Sequence, residues 1–278
     1  MTDAVVLPSL SARGGAALHW RSFFGLLRRD LRVLRREFVT FLVRTVMNPL
    51  LFVFVFTYVF PRIGQSFTAR NGASFATILL PGLVAVSIMF QGVTAVALPL
   101  AVELGATGEI FDRVMSPLPV AAVAMEKMVF SAIQSLVAAA AVFPLVMFLP
   151  ATRVPVQVSS WSLLIAVVLL ASLAAGAMGL ALGTLAKPQQ VGLVFSVVLI
   201  PVTFLGCVYY PWAMLQNVRW LQVAVLVNPL VYMSEGLRAA LTPTLPHMPV
   251  AAILVALALA LVTLTWVGMN GFLRRVVT

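Results

Sequence analysis

Charge is what this chain has least of. Of its 278 residues only 9% are Asp, Glu, Lys or Arg, against 62% hydrophobic. A soluble domain carries about 25% charged residues, so a water-soluble enzyme is excluded from the outset. The single cysteine, Cys207, leaves no internal disulfide framework and no CxxC metal site. The two histidines, His19 and His247, belong to no HExxH pattern. Nowhere does a GxxxxGK followed by Ser or Thr occur, so the chain cannot cradle ATP phosphates with a P-loop. Residues 1–17 have no compact apolar core with a cleavage site, as a secretory signal would; they read as a loose cytoplasmic tail.

What the chain has in abundance is long apolar runs. Six stand out, at about 41–60, 75–100, 122–149, 161–186, 190–208 and 249–272. Each is long enough to cross about 30 Å of hydrocarbon as a helix. They are continuously apolar and lack the period-two alternation of a membrane β-barrel. The fold read from this pattern is an all-α membrane protein with six transmembrane helices. Arg44 lies near the inner end of the first run, where its side chain can snorkel to the interface.

Ahead of the first run, residues 18–38 behave differently. Phe23, Leu27, Leu31, Leu34 and Phe38 recur at helical spacing and make one apolar face. Arg28, Arg29, Arg32, Arg35 and Arg36, with Arg21, occupy much of the rest. A helix of this kind lies in the headgroup plane, burying its stripe and pairing its arginines with anionic membrane lipids. The chain thus reads as one domain over 1–278: the tail at 1–17, an interfacial amphipathic helix at 18–38, a six-span bundle over 41–272 and a cytoplasmic tail at 273–278.

The net charge of +10 could suggest nucleic acid, but the charge is sorted by side. With the N-terminus inside, the loops beyond the outer ends of the spans hold only Arg62, Arg70, Arg153, Arg219 and Arg238, which leaves 13 of the 18 basic residues inside. This is the positive-inside pattern. Both termini are therefore placed in the cytoplasm of a bacterial inner-membrane protein, and a nucleic-acid partner is dropped.

Two segments are neither plain spans nor short loops. Residues 102–121 concentrate Glu109, Asp112 and Arg113, with Glu103 upstream, in a chain that is otherwise nearly uncharged. Glu109 through Met115 can form a short amphipathic helix that Pro117 and Pro119 end, a docking knob for a soluble partner at the cytoplasmic face. Residues 201–248 are too apolar for an aqueous loop, yet prolines interrupt them at 201, 211, 229, 243 and 246. Pieces at 212–226 and 229–241 each fall short of a span. Asn228 followed by Pro229 is a helix start, since Asn caps free N–H groups and Pro at the first position needs no donor. The simplest arrangement is a re-entrant helical hairpin in the outer leaflet between spans five and six. Glu235 and Arg238, one turn apart on it, can pair.

These segments resemble a known family. NPLVYMSEGLRAAL at 228–241, with Asn228, Pro229, Tyr232, Glu235 and Arg238, and the preceding PVTFLGCVYYPWAMLQNVRWLQ resemble the ending of type-2 ABC exporter permeases of the daunorubicin-resistance and polysaccharide-export branches. GEIFDRVMSPLPVAAVAMEK at 108–127 resembles that family's cytoplasmic loop. The resemblance implies a transmembrane permease that forms a homodimer, or pairs with a paralogous permease, and docks a separate ATP-binding cassette ATPase. Glu109, Ile110, Phe111, Asp112 and Arg113 would form the coupling helix, and residues 18–38 would clasp the ATPase. ATP and Mg would be used by that partner, with no cofactor, metal or catalytic residue in this chain. The implied activity is export of an amphipathic, drug-like or lipid-linked substrate. Two other classes remain open on the residues alone: a secondary transporter, and a membrane-embedded enzyme for which Cys207 and His247 would have to meet in the fold.

Overall fold

The computed structural model describes residues 12–63, 75–107, 119–148, 157–186 and 190–277. Among the described residues every regular element is helical. Helix α1 covers Ala12–Arg36 and α2 starts at Phe38. Only Glu37, with φ −102° and ψ 16°, separates them. Helix α2 runs Phe38–Val53, widens into a π-helical turn at Phe54–Val59 and closes at Phe60–Arg62. Helix α3 is Phe75–Val102 with a π-helical end at Glu103–Thr107, α4 is Val120–Phe148 and α5 is Trp161–Leu185. Helix α6 is built of Val191–Val194, a π-helical turn at Phe195–Leu199, and Ile200–Phe204. After a turn come the short α7 at Arg219–Ala224, α8 at Pro229–Leu241 and α9 at Val250–Val277.

Among the described residues five helices are long and apolar enough to cross a membrane: α2, α3, α4, α5 and α9. The sixth expected run, at 190–208, yields a shorter apolar helix that stops at Phe204. It stops because the chain turns there: Cys207 has φ 51°, in the left-handed region that side chains resist. The π-helical turns of α2 and α6 each precede a proline in the sequence, Pro61 and Pro201, whereas Pro49, Pro81, Pro99 and Pro144 lie within α-helical stretches.

The core is organised around α5. Its sequence ASLAAGAMGLALGT places small residues on more than one face, so neighbouring backbones come close. A Cβ at Gly179 would lie 2.8 Å from the Val93 carbonyl oxygen of α3, and one at Gly268 of α9 would lie 2.9 Å from the Ala181 nitrogen. Helix α3 is equally central, and with α4 and α5 it carries most of the buried residues. Helices α2 and α9 are peripheral, with only 12% and 11% of their membrane-length windows buried. At one end of the bundle, called here the α1 end, Arg275 of α9 donates to the carbonyls of Ala186 and Leu185 and so satisfies the frayed end of α5. Within α1, Leu27 is buried and Phe23, Leu31 and Leu34 are half-buried, while Arg28, Arg29, Arg32, Arg35 and Arg36 are exposed. Phe38 is exposed too, because it already belongs to α2.

The close approach at α5 is testable. Gly179→Leu should lower the thermal unfolding midpoint of the detergent-solubilised protein by the equivalent of about 1–3 kcal/mol, the usual cost of overpacking. Gly192→Ala, where nothing lies within 4 Å, should hold or raise it.

Candidate functional site

At the end of the bundle opposite α1, residues 205–249 are tied together by one buried ion pair. Glu235 and Arg238 of α8 are both fully buried. Arg238 Nη1 donates to Glu235 Oε1, and Arg238 Nη2 donates to the Cys207 carbonyl at 3.0 Å. Glu235 Oε1 also accepts from the Trp212 backbone N–H at 2.9 Å, and Oε2 accepts from the Met248 N–H at 2.9 Å. Two side chains thus hold the turn at 207, the start of the segment at 212 and the approach to α9 on one helix. The Arg238 bond also explains how Cys207, which carries a side chain, is kept in its left-handed conformation.

Further bonds extend this clamp. Asn228 Oδ1 accepts from the Leu230 N–H at 3.0 Å, capping α8, while its Nδ2 donates to the Val202 carbonyl of α6 at 2.7 Å. Tyr232 donates its hydroxyl proton to the Leu226 carbonyl at 2.8 Å. The last carbonyls of α8 are satisfied by the strand-like stretch before α5: the N–H groups of Gln157 and Ser159 donate to Leu241 and Ala240. The turn itself is pressed onto α3, where a Cβ at Gly82 would lie 2.2 Å from the Val208 carbonyl oxygen. Only a residue without a side chain fits there. Of the family-motif residues, Asn228, Glu235 and Arg238 therefore meet around residues 202–212, and Tyr232 braces the neighbouring turn.

At the α1 end a second buried pair joins α3 to α4. Lys127 Nζ lies 2.9 and 2.8 Å from the two oxygens of Glu103. These residues flank the segment 108–118, and the coupling residues Glu109, Ile110, Phe111, Asp112 and Arg113 lie outside the described residues.

Between the two ends lie two adjoining cavities. The upper one, about 350 Å³, is walled by α2, α3 and α6, with Phe204 and Tyr209 lining it toward residues 205–249. The lower one, about 420 Å³, lies between α1 and α2 on one side and α3 and α4 on the other, and the Glu103–Lys127 pair lines it. Arg44, Gln91 and Thr94 belong to both cavities. A polar thread crosses the helices at this level. Thr45 donates to Gln91 Oε1 at 3.2 Å, and Gln91 Nε2 donates to Gln134 Oε1 at 2.9 Å.

Two adjoining cavities, one walled mainly by apolar side chains and one lined by both signs of charge, are thus set in a bundle of membrane-length helices. Residues 21–242 match the ABC-2 type transporter family. The chain belongs to that family. Among curated proteins, this ABC-2 chain is 28% identical over 223 residues to the inner membrane transport permease YadH of Escherichia coli K12, covering 80% of this chain and 83% of the relative. YadH of Shigella flexneri matches to the same extent. No solved structure matches the chain. With five membrane-length helices and an inner-membrane permease as its relative, it is a multi-pass inner-membrane protein and a permease subunit rather than an enzyme.

Several site features were not singled out from sequence. Gln91 and Gln134 were visible as lone amides inside apolar runs, a recognisable signal at membrane depth. The Glu103–Lys127 pair spans 24 positions, and nothing local links the two. The membrane-enzyme alternative finds little in this geometry. His247 Nδ1 sits 2.9 Å from the Met248 carbonyl, Cys207 is buried under the Arg238 contact, and the described residues contain no cluster of three or more potential metal ligands.

Removing one partner of a buried pair leaves an uncompensated charge and costs about 3–5 kcal/mol. Glu235→Gln should therefore depress the thermal midpoint sharply, and Glu235→Leu with Arg238→Met should recover much of the loss. A Glu235→Gln protein that unfolds at the wild-type temperature would show that the pair is not the clamp.

Proposed function

We propose that the chain is the permease subunit of an ATP-driven exporter, moving an amphipathic, drug-like or lipid-linked substrate outward, with hydrolysis supplied by a separate ATP-binding cassette subunit using ATP and Mg. The observation that carries this reading is the family match over 21–242 in a chain that has no P-loop. In this arrangement both termini are cytoplasmic and α1 lies in the inner interface, its arginines toward lipid and ATPase. Helix α6 serves as the short fifth of six spans. Residues 205–248 form the re-entrant hairpin, filling the outer depth that α6 does not reach. A second copy, or a paralogous permease, completes the transporter.

The two clamps suggest how work at one end reaches the other. Movement of the coupling segment around Glu109–Arg113 would act on α3 and α4 together, because Lys127 and Glu103 tie their ends. Helix α3 is locked to α5 by backbone-close packing and to the hairpin by the Gly82–Val208 contact. The peripheral α2 is free to part from this block. Rocking of a packed block against α2 and α6 would open the cavities in turn, an alternating-access motion of the kind many transporters use.

Two measurements test the proposal. A pulldown of the tagged permease from native membranes should recover a P-loop ATPase in comparable amount, and charge reversal at Glu109 or Arg113 should weaken coupled ATPase activity while membrane insertion stays intact. Recovery of an intact dimer with no ATPase would refute the ABC reading. For topology, a cysteine at Thr278 should react with a membrane-impermeant thiol reagent only after cells are opened, whereas one at Arg70 should react in intact cells. The reverse pattern would overturn the orientation.

A further inference from the structure

The junction of the two cavities is where their chemistry changes, and Arg44 stands on it. Arg44 is exposed to both cavities and has no hydrogen-bond or ion-pair partner among the described residues. Among the described residues it is the only charged one lining the upper cavity. The hydroxyls around it have already spent their protons: Thr94 donates to the Phe90 carbonyl, Ser87 to Leu83 and Thr203 to Leu199. The Gln91 amide is engaged on both sides. Among the described residues the guanidinium is therefore the one cationic group shared by both cavities, and its donors have no partner there.

We infer that this junction binds an anionic amphiphile, a molecule with one carboxylate, phosphate or sulfate group on an apolar body. The anionic group pairs with Arg44, whose planar fork matches such oxygens two at a time. The body enters the upper cavity among Phe52, Leu83, Phe90 and Leu199. At about 350 Å³ that space lies at the small end of ligand pockets, which run about 300–1,000 Å³. The lower cavity does not bar entry of an anion: Asp30, Glu37 and Glu103 face it, but so do Arg29 and Lys127, with Lys127 directly on Glu103. A cationic amphiphile would meet Arg44 as a like charge with no acid in the upper cavity to offset it. The inference rests on reading the cavities as the transport path and adds the charge of what they accept.

The test uses the full-length permease in phosphatidylcholine nanodiscs and equilibrium binding of dodecyl phosphate, dodecyltrimethylammonium and inorganic phosphate. Dodecyl phosphate should bind more tightly than the cation by about ten- to hundredfold, the range that a charge-assisted hydrogen bond supplies. Inorganic phosphate, with no apolar body to bury, should bind more weakly than dodecyl phosphate or not at all. Arg44→Gln should abolish the preference for dodecyl phosphate, and Arg44→Lys should retain part of it. Ser87→Phe, which fills the upper cavity and leaves Arg44 in place, should weaken dodecyl phosphate binding by at least about tenfold, since each buried methylene contributes about 0.8 kcal/mol. Equal binding of the cation, or unchanged binding in Arg44→Gln, would overturn the inference. So would full competition by phosphatidylglycerol that Ser87→Phe leaves untouched, because Arg44 would then be an ordinary contact to bilayer headgroups. The assay contains no ATPase or nucleotide. Failure to capture an ATPase would leave a positive binding result standing, and a negative binding result would leave ATPase capture standing.

Discussion

The buried pair of Glu235 and Arg238 is the interaction on which residues 205–249 depend. A lone charge sealed from water is expensive, and a buried pair only breaks even when its remaining hydrogen-bonding capacity is met. Here backbone groups from three chain segments meet most of it, the Cys207 carbonyl and the N–H groups of Trp212 and Met248, while Arg238 Nε is left without a partner among the described residues. The pair needs those segments as much as they need the pair. Residues 205–249 contain only short helices, with few regular bonds of their own between them, so their irregular backbone must be satisfied from outside. Two ionised side chains on α8 do this at one point, and Asn228 repeats the device on a smaller scale by reaching both its own helix and α6.

Much of this was legible in the residues, and what was not has a definable cause. The apolar runs and their breaks locate α2, α3, α4, α5 and α9, because length and continuous hydrophobicity are local properties. Asn228–Pro229 marks the start of α8 for the same reason: capping acts within a few residues. The i,i+3 spacing of Glu235 and Arg238 announces a pair. It says nothing of the backbone groups at 207, 212 and 248 that complete it, since backbone atoms carry no sequence signature. The shortness of α6 was hidden as well. Residues 205–208 are as apolar as those before them, and the turn is set by the contact of Val208 with Gly82, more than a hundred positions away. Cavities are the least legible feature of all, because they belong to the spaces between helices.

The bundle divides into parts held with different strength. Small residues bring α3, α5 and α9 within backbone reach, and ion pairs fix α3 to α4 at one end and fasten residues 205–249 at the other. Helices α2 and α6 are attached through side chains and leave a gap toward α3. The gap runs from a mouth lined by both signs of charge to an interior with one cation, and a bundle packed uniformly would have no room for it.

The three π-helical turns take on meaning against this division. They fall in α2, at the end of α3 and in α6, the helices that wall the upper cavity; α4, α5, α8 and α9 are regular throughout. A π-helical turn holds one residue more than an α-helical turn over the same stretch. If such a turn migrates along its helix, each residue it passes is rotated about the axis by about 100°, the angle between successive residues, while the helix ends stay in place. Cavity-facing side chains can then be exchanged one by one without unfolding or tilting a helix. The walls of the upper cavity thus carry a device for such exchange that α4, α5, α8 and α9 lack.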